Sequence, residues 1–185
     1  MNIWSPLFAL PLVGAVACAG EPRSFEVPVD LQLTVKTNKK NDVMSGEKAI
    51  RTEFGDPFGV FIEDVRRKLG RDPATIDVRG ADLGIGASST GPLVLGEVFA
   101  GTIRVLFQLD ATGSNYPVAT GEASVSTAVP LSLDASFDAD VVPDTDYVGF
   151  LDGGFKVTIS GPVAPAAAAK PSADLQLSLI FIALE

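Results

Sequence analysis

The sequence predicts an all-β protein, an antiparallel β-sandwich with one short amphipathic helix, and leaves a closed β-barrel as the alternative. Three observations predict this. Apolar and polar residues alternate with period two through most of the chain. One stretch only switches to helical spacing. Of 185 residues, 46% are hydrophobic and 20% charged, too apolar and too weakly charged for a disordered chain. The length fits one domain.

Taken in order, the first strand is the clearest. Phe25, Val27, Val29, Leu31, Leu33 and Val35 alternate with Glu26, Pro28, Asp30, Gln32, Thr34 and Lys36, as in a sheet with one buried and one wet face. Pro28 has no N–H to give to a ladder, which places it at an edge or a bulge. Weaker strand signals fall at 49–54, 75–78 and 118–125. Between the first two, Phe58, Phe61, Ile62, Val65 and Leu69 recur at helical spacing. Asp56 can cap that helix, Pro57 suits its first turn and Gly70 its stop. Arg66, Arg67 and Lys68 sit at the dipole end that favours cations.

Three further strands follow by alternation. Phe99, Ile103, Val105, Phe107 and Leu109 share one face, as do Leu131, Leu133, Ala135, Phe137, Ala139 and Val141, and then Phe155, Val157 and Ile159. The closing strand carries Leu175, Leu177, Leu179 and Phe181 on one face and Ile180, Ile182 and Leu184 on the other, so it is buried on both sides or meets a partner. The Pro/Ala-rich stretch 161–171 reads as a mobile loop before it. Asp30-Leu31-Gln32-Leu33-Thr34 echoes Asp174-Leu175-Gln176-Leu177-Ser178. Two amphipathic strands can share that much by chance, although pairing of the first and last strands would also suit it; no longer repeat supports duplication.

The N-terminus is read separately from the domain. Residues 7–17 are almost wholly apolar and Glu21 is the first charged side chain, the shape of a secretory signal peptide. A permanent membrane helix needs roughly 20 apolar residues. Ala15-Val16-Ala17-Cys18 resembles a bacterial lipobox, with Ala15 where Leu is usual and no Lys or Arg before it. The resemblance implies removal of residues 1–17 and acylation of Cys18, with palmitate among the attached chains. It further implies a tether over 18–24 and, from Ala19, sorting to the outer membrane. Plain cleavage, giving a soluble periplasmic or secreted protein, is the alternative. The domain proper is expected over 25–185. With Cys18 the sole cysteine, no intramolecular disulfide is available.

Composition also removes functions. The 14 basic and 23 acidic side chains give a net charge of −9, which disfavours a nucleic-acid partner. The acidity is concentrated in residues 105–185, with 10 acidic and 2 basic side chains against 13 and 12 before them. There is no histidine, hence no Ser–His or Cys–His pair. Ser45-Gly46-Glu47-Lys48 matches S-x-x-K without its companion motifs. The loop Gly86-Ala87-Ser88-Ser89-Thr90-Gly91 lacks the Lys of a phosphate loop. Lys36, Lys39 and Lys40 read as a solvated basic loop. A sugar cleft built on stacking would have only Tyr116 and Tyr147 once Trp4 is removed. Asp144, Asp146 and Asp152, in and after a turn, form the candidate metal site, for Ca²⁺, whose preferred ligands are carboxylate oxygens. The other acids, Asp134, Asp138 and Asp140, belong to the wet face of a strand. No catalytic residue is assigned. The chain is expected to be a non-catalytic envelope lipoprotein, a structural or interaction module joined to the membrane through Cys18. The alternative is a carrier of an apolar ligand or lipid, held between sheets or inside a barrel. A carrier needs an internal cavity, whereas a structural module packs solid.

Overall fold

The computed structural model describes residues 23–38, 42–53, 55–89, 94–123, 130–168 and 172–185. Residues 1–22, which hold the expected signal peptide and Cys18, lie outside them, as do Lys39, Lys40 and part of the 86–91 loop. Among the described residues there are eight strands: β1 (Ser24–Asn38), β2 (Val43–Ile50), β3 (Thr75–Ile85), β4 (Thr102–Leu109), β5 (Asn115–Glu122), β6 (Leu131–Ala135), β7 (Phe155–Pro162) and β8 (Ser172–Leu184). They close into one antiparallel barrel in the order β1-β2-β7-β4-β5-β6-β3-β8. The all-β expectation is met, and of the two architectures the barrel is the one formed.

The reason lies in the pairing of the two chain ends. β1 runs against β8 over 13 residue pairs, from Ser24↔Leu184 to Lys36↔Ser172. That ladder turns what would be two stacked sheets into one rolled sheet. Alternation marks which face is buried but is identical for a sandwich and a barrel. The echoing segments meet in this ladder: Gln32 opposes Gln176, and the Thr34 hydroxyl donates to Asp174 Oδ1 at 2.7 Å.

The barrel is apolar inside and largely polar outside. Val29, Leu31, Leu33 and Val35 of β1 are buried while Asp30, Gln32, Thr34 and Lys36 are exposed. This is the reverse of a barrel that faces lipid. The second face of β8 is partly covered from within the chain, with Ile180 and Leu184 half-buried. Ile182 is buried, and Ile180 lies over Gly80, where a Cβ would come within 2.9 Å of its Cδ1.

Both ends are stoppered. At one, helix α1 (Pro57–Leu69) begins as expected, with Asp56 accepting from the Phe58 N–H at 3.0 Å, and stops at Gly70 in the left-handed region, φ 75°. Its Phe58 meets Phe150, Phe155 and Phe181 at centroid separations of 5.1–5.4 Å. Phe150 comes from a second helix, α2 (Asp144–Leu151), which has no counterpart in the sequence reading. At the other end, the 3-10 helix Leu95–Glu97 and that of Pro165–Ala168 pack together. The Pro/Ala-rich stretch is therefore ordered over its described part, with Ala164 and Ala167 buried. The strand expected over 131–141 ends at Ala135; residues 139–141 form a 3-10 turn capped by Asp138, whose Oδ1 accepts from the Asp140 N–H at 2.9 Å.

Candidate functional site

Among the described residues the barrel wall is held by short ladders at β3–β6, three pairs, at β5–β6, two pairs, and between β1 and β2. The β1–β2 ladder lasts three pairs, Lys36↔Ser45, Thr37↔Met44 and Asn38↔Val43. Beyond them β2 follows β7 as far as Ile50↔Phe155, while β1 stays with β8. The strands part at Gly46. A Cβ there would lie 2.5 Å from the Thr34 carbonyl oxygen and 3.0 Å from Val35 Cα, so only glycine lets β1 cross so closely. Below this point α1 fills the widening gap. Phe61 stacks on Phe25 of β1 at 6.3 Å, Lys68 Nζ sits 3.8 Å over the Phe25 ring, and Gly59 abuts the Thr52 backbone after β2.

Hydrogen bonding fixes which groups of β1 face the gap. The Asp174 and Leu184 carbonyls accept from Gly86 and Ala74, on the β3 side of β8. The even residues of β8 therefore serve β3, and the odd ones serve β1. By the same register the odd residues of β1 face β8, so the N–H and C=O of Asp30, Gln32 and Thr34 point into the gap. Pro28 has the same parity, and its missing donor falls where no strand needs it. This is the edge position its sequence demanded.

Between the N-terminus of α1 and the crossing at Gly46 the gap opens as a groove of about 500 Å³. It is lined by Asp30, Gln32, Lys48, Arg51, Glu53 and Asp56, among others. A second groove of about 370 Å³ continues along β1 past Thr34, Lys36 and Asp174, and shares Gln32 and Lys48 with the first. Lys48 is the informative residue. It has the inward phase of Met44 and Ile50, which are buried, yet it is exposed. A charged side chain at that phase is tolerated because the wall is open in front of it. Several of the carboxylates here are held by the protein's own donors: Asp174 by Thr34, Asp56 by the helix start, and Glu47 by Lys156 at 3.5 Å. Among the described residues no ion pair is formed by Lys36, Lys48 or Arg51.

The Ca²⁺ candidates are placed differently from a metal loop. Asp144 and Asp146 lie in the first turn of α2 and Asp152 at its far end, about 12 Å away along an eight-residue helix. Among the described residues no three acidic side chains gather to hold a metal. Asp146 is instead buried and accepts from the Tyr116 hydroxyl at 2.6 Å and from Thr112 Oγ1 at 3.3 Å. The Tyr116 bond, with help from Ser114, holds its carboxyl below the usual range against the opposing effect of burial. Burial and the bond to Asp146 raise Tyr116 in turn. Tyr147 donates to the Pro73 carbonyl at 3.1 Å, and burial, with Asp72 and Asp77 nearby, pushes its hydroxyl up. These contacts tie α2 to the β4–β5 hairpin and to the start of β3.

No family model matches the chain, and no curated protein is similar to it. The site therefore stands on its geometry. Ser45 and Lys48 of the S-x-x-K match lie on β2, three residues apart and so on opposite faces, which separates the supposed nucleophile from its base. The groove itself went unmarked in the sequence. Its one local signal was Lys48, charged at the apolar phase of Met44 and Ile50.

Proposed function

We propose that the protein is a non-catalytic ligand-binding barrel, exported and held at the cell envelope through an acylated Cys18, and that it takes its ligand at the parted wall between β1 and β2. The observation that carries this reading is the groove of about 500 Å³ that opens where β1 and β2 part. Its lining is polar and charged, so a polar ligand suits it. The barrel interior supports a second reading, a carrier of an apolar ligand. Eight-stranded barrels either fill with side chains or hold one small ligand. Here Phe107, Phe150 and Phe155 contact one another at 4.5–5.3 Å, so such a ligand would have to displace rings near α1.

Native mass spectrometry of the purified full chain separates the two readings. Wall binding predicts an interior without lipid, whereas lipid retained one to one would favour the carrier. The anchor is tested by growing cells on radiolabelled palmitate: label is expected in the wild type and absent in Cys18→Ala. Equal label in both would remove the anchor from the proposal.

A further inference from the structure

We infer that the end of the barrel capped by α1 and α2 is a membrane-contact face, seated on a lipid surface of zwitterionic headgroups. This rests on the acylated Cys18 of the reading above and adds which way the barrel stands on its anchor. Strand directions define that end. β1 starts there at Ser24, opposite Leu184, and β2 and β7 meet there at Ile50↔Phe155. The Arg23 carbonyl accepts from the Glu185 N–H at 3.0 Å, so the chain is held to the barrel at Arg23. Cys18 lies five residues before it, a reach of at most about 18 Å. β1 is 15 residues long, about 45 Å of extended chain. An anchor at Cys18 therefore reaches the α1–α2 end and falls well short of the end at Asn38.

Exposed apolar side chains favour this end over the side wall. Among the described residues the large hydrophobics that stay exposed are Val60, Val141 and Val148, at 49%, 70% and 59%. Val60 is on α1, Val148 on α2 and Val141 in the 3-10 turn just before α2. That turn is bound to the same end, where the Ala139 N–H donates to Asp77 Oδ1 at 3.2 Å. The side wall along β1 instead presents Asp30, Gln32, Thr34 and Lys36, and lipid over it would take those charges out of water. Charge selects the lipid. Arg66, Arg67 and Arg71 are paired with Asp72, Asp64 and Glu185. Of the remainder, Glu63, Asp110, Asp138, Asp140, Asp144 and Asp152 form no ion pair among the described residues, against Arg23, Arg51 and Lys68. The end is thus net acidic, and an anionic surface repels it. Three valines without a basic patch hold the end down only once the acyl anchor has brought it there.

The test uses the acylated full chain, purified in detergent and reconstituted into phosphatidylcholine vesicles. A single cysteine is introduced at Val60, at Val148 or, for the opposite end, at the exposed Ala166 of the 3-10 helix Pro165–Ala168. It is labelled with the environment-sensitive dye NBD; Cys18, the sole natural cysteine, is occupied by the anchor. A lipid carrying a nitroxide near its headgroup should quench Val60→Cys and Val148→Cys at least twofold more than Ala166→Cys. Replacing half of the lipid with phosphatidylglycerol should reduce that quenching at low salt. Equal quenching at the three sites, stronger quenching at Ala166→Cys, or a rise with phosphatidylglycerol overturns the inference. Palmitate labelling of the same preparations separates the failures. A labelled chain with equal quenching loses this orientation and keeps the anchor, whereas an unlabelled chain loses both.

Discussion

Lys48 and Gln32 line the groove from the two strands that part there, and each shows what a missing neighbour does to a single residue. Lys48 has an inward phase yet is exposed, because the wall is open in front of it. The amides of Asp30 and Gln32 should likewise exchange with water, since no strand receives them, while those of Leu31 and Leu33 are held in the β8 ladder. Hydrogen exchange resolved by residue should show this alternation, fast at Asp30 and Gln32 and slow at Leu31 and Leu33. Uniform protection along β1 would mean that the gap is closed in solution. Asp146 allows a second test at this scale. Its carboxyl is held low by the Tyr116 bond, so it contributes stability that is present above the ordinary carboxylate pKa, near 4, and lost as pH falls through the lower folded value. The melting temperature of Tyr116→Phe should therefore lie below wild type at neutral pH and converge with it in acid. Parallel curves from pH 7 to pH 2 would show that the bond does not set this pKa.

Among the elements, α1 combines two tasks, stopping one end of the barrel and standing in for a strand beside β1. Its core contact is Phe58, fully buried and in ring contact with Phe61, Phe150, Phe155 and Phe181. Phe58→Ala should cost about 3–5 kcal/mol, read as a lower denaturant midpoint; a loss below about 1 kcal/mol would mean that the rings close over the space. This helix was legible because its apolar spacing, Asp56 cap and Gly70 stop are all local. The strand β1 was legible for the same reason. α2 was not, because Asp144-Thr145-Asp146-Tyr147-Val148-Gly149-Phe150-Leu151 has little helical periodicity and reads as a turn rich in Asp. Most of β2 was missed because Gly46 and Lys48 occupy two of its inward positions. Both are there on account of β1, Gly46 for the crossing and Lys48 for the opening, so the residues that make the site also erased the strand pattern. The register that parts the wall is non-local, and no window of sequence contains it.

At the scale of the molecule, closure depends on strands more than 130 residues apart in the chain. β8 lies between β1 and β3 and pairs with both along most of its length. β1 has only three further pairs, to β2, and β3 has three to β6. Without β8, then, both strands would expose one long edge and most of the other, and the Leu175, Leu177, Leu179 and Phe181 side chains would leave the core. Contacts of such long sequence separation repay their loop-closure cost only when the last strand docks. A chain ending before Ser172 should therefore lack a native state rather than form a smaller barrel. It should show no sigmoidal thermal transition by circular dichroism and be digested by protease under conditions where the full chain survives. The full chain should unfold in one step, with coincident transitions by circular dichroism and by Tyr116 and Tyr147 fluorescence. A cooperative transition in the truncated chain would show that the wall from β2 through β6 holds without closure, and that the β1–β2 break is one of two seams at which the barrel can open.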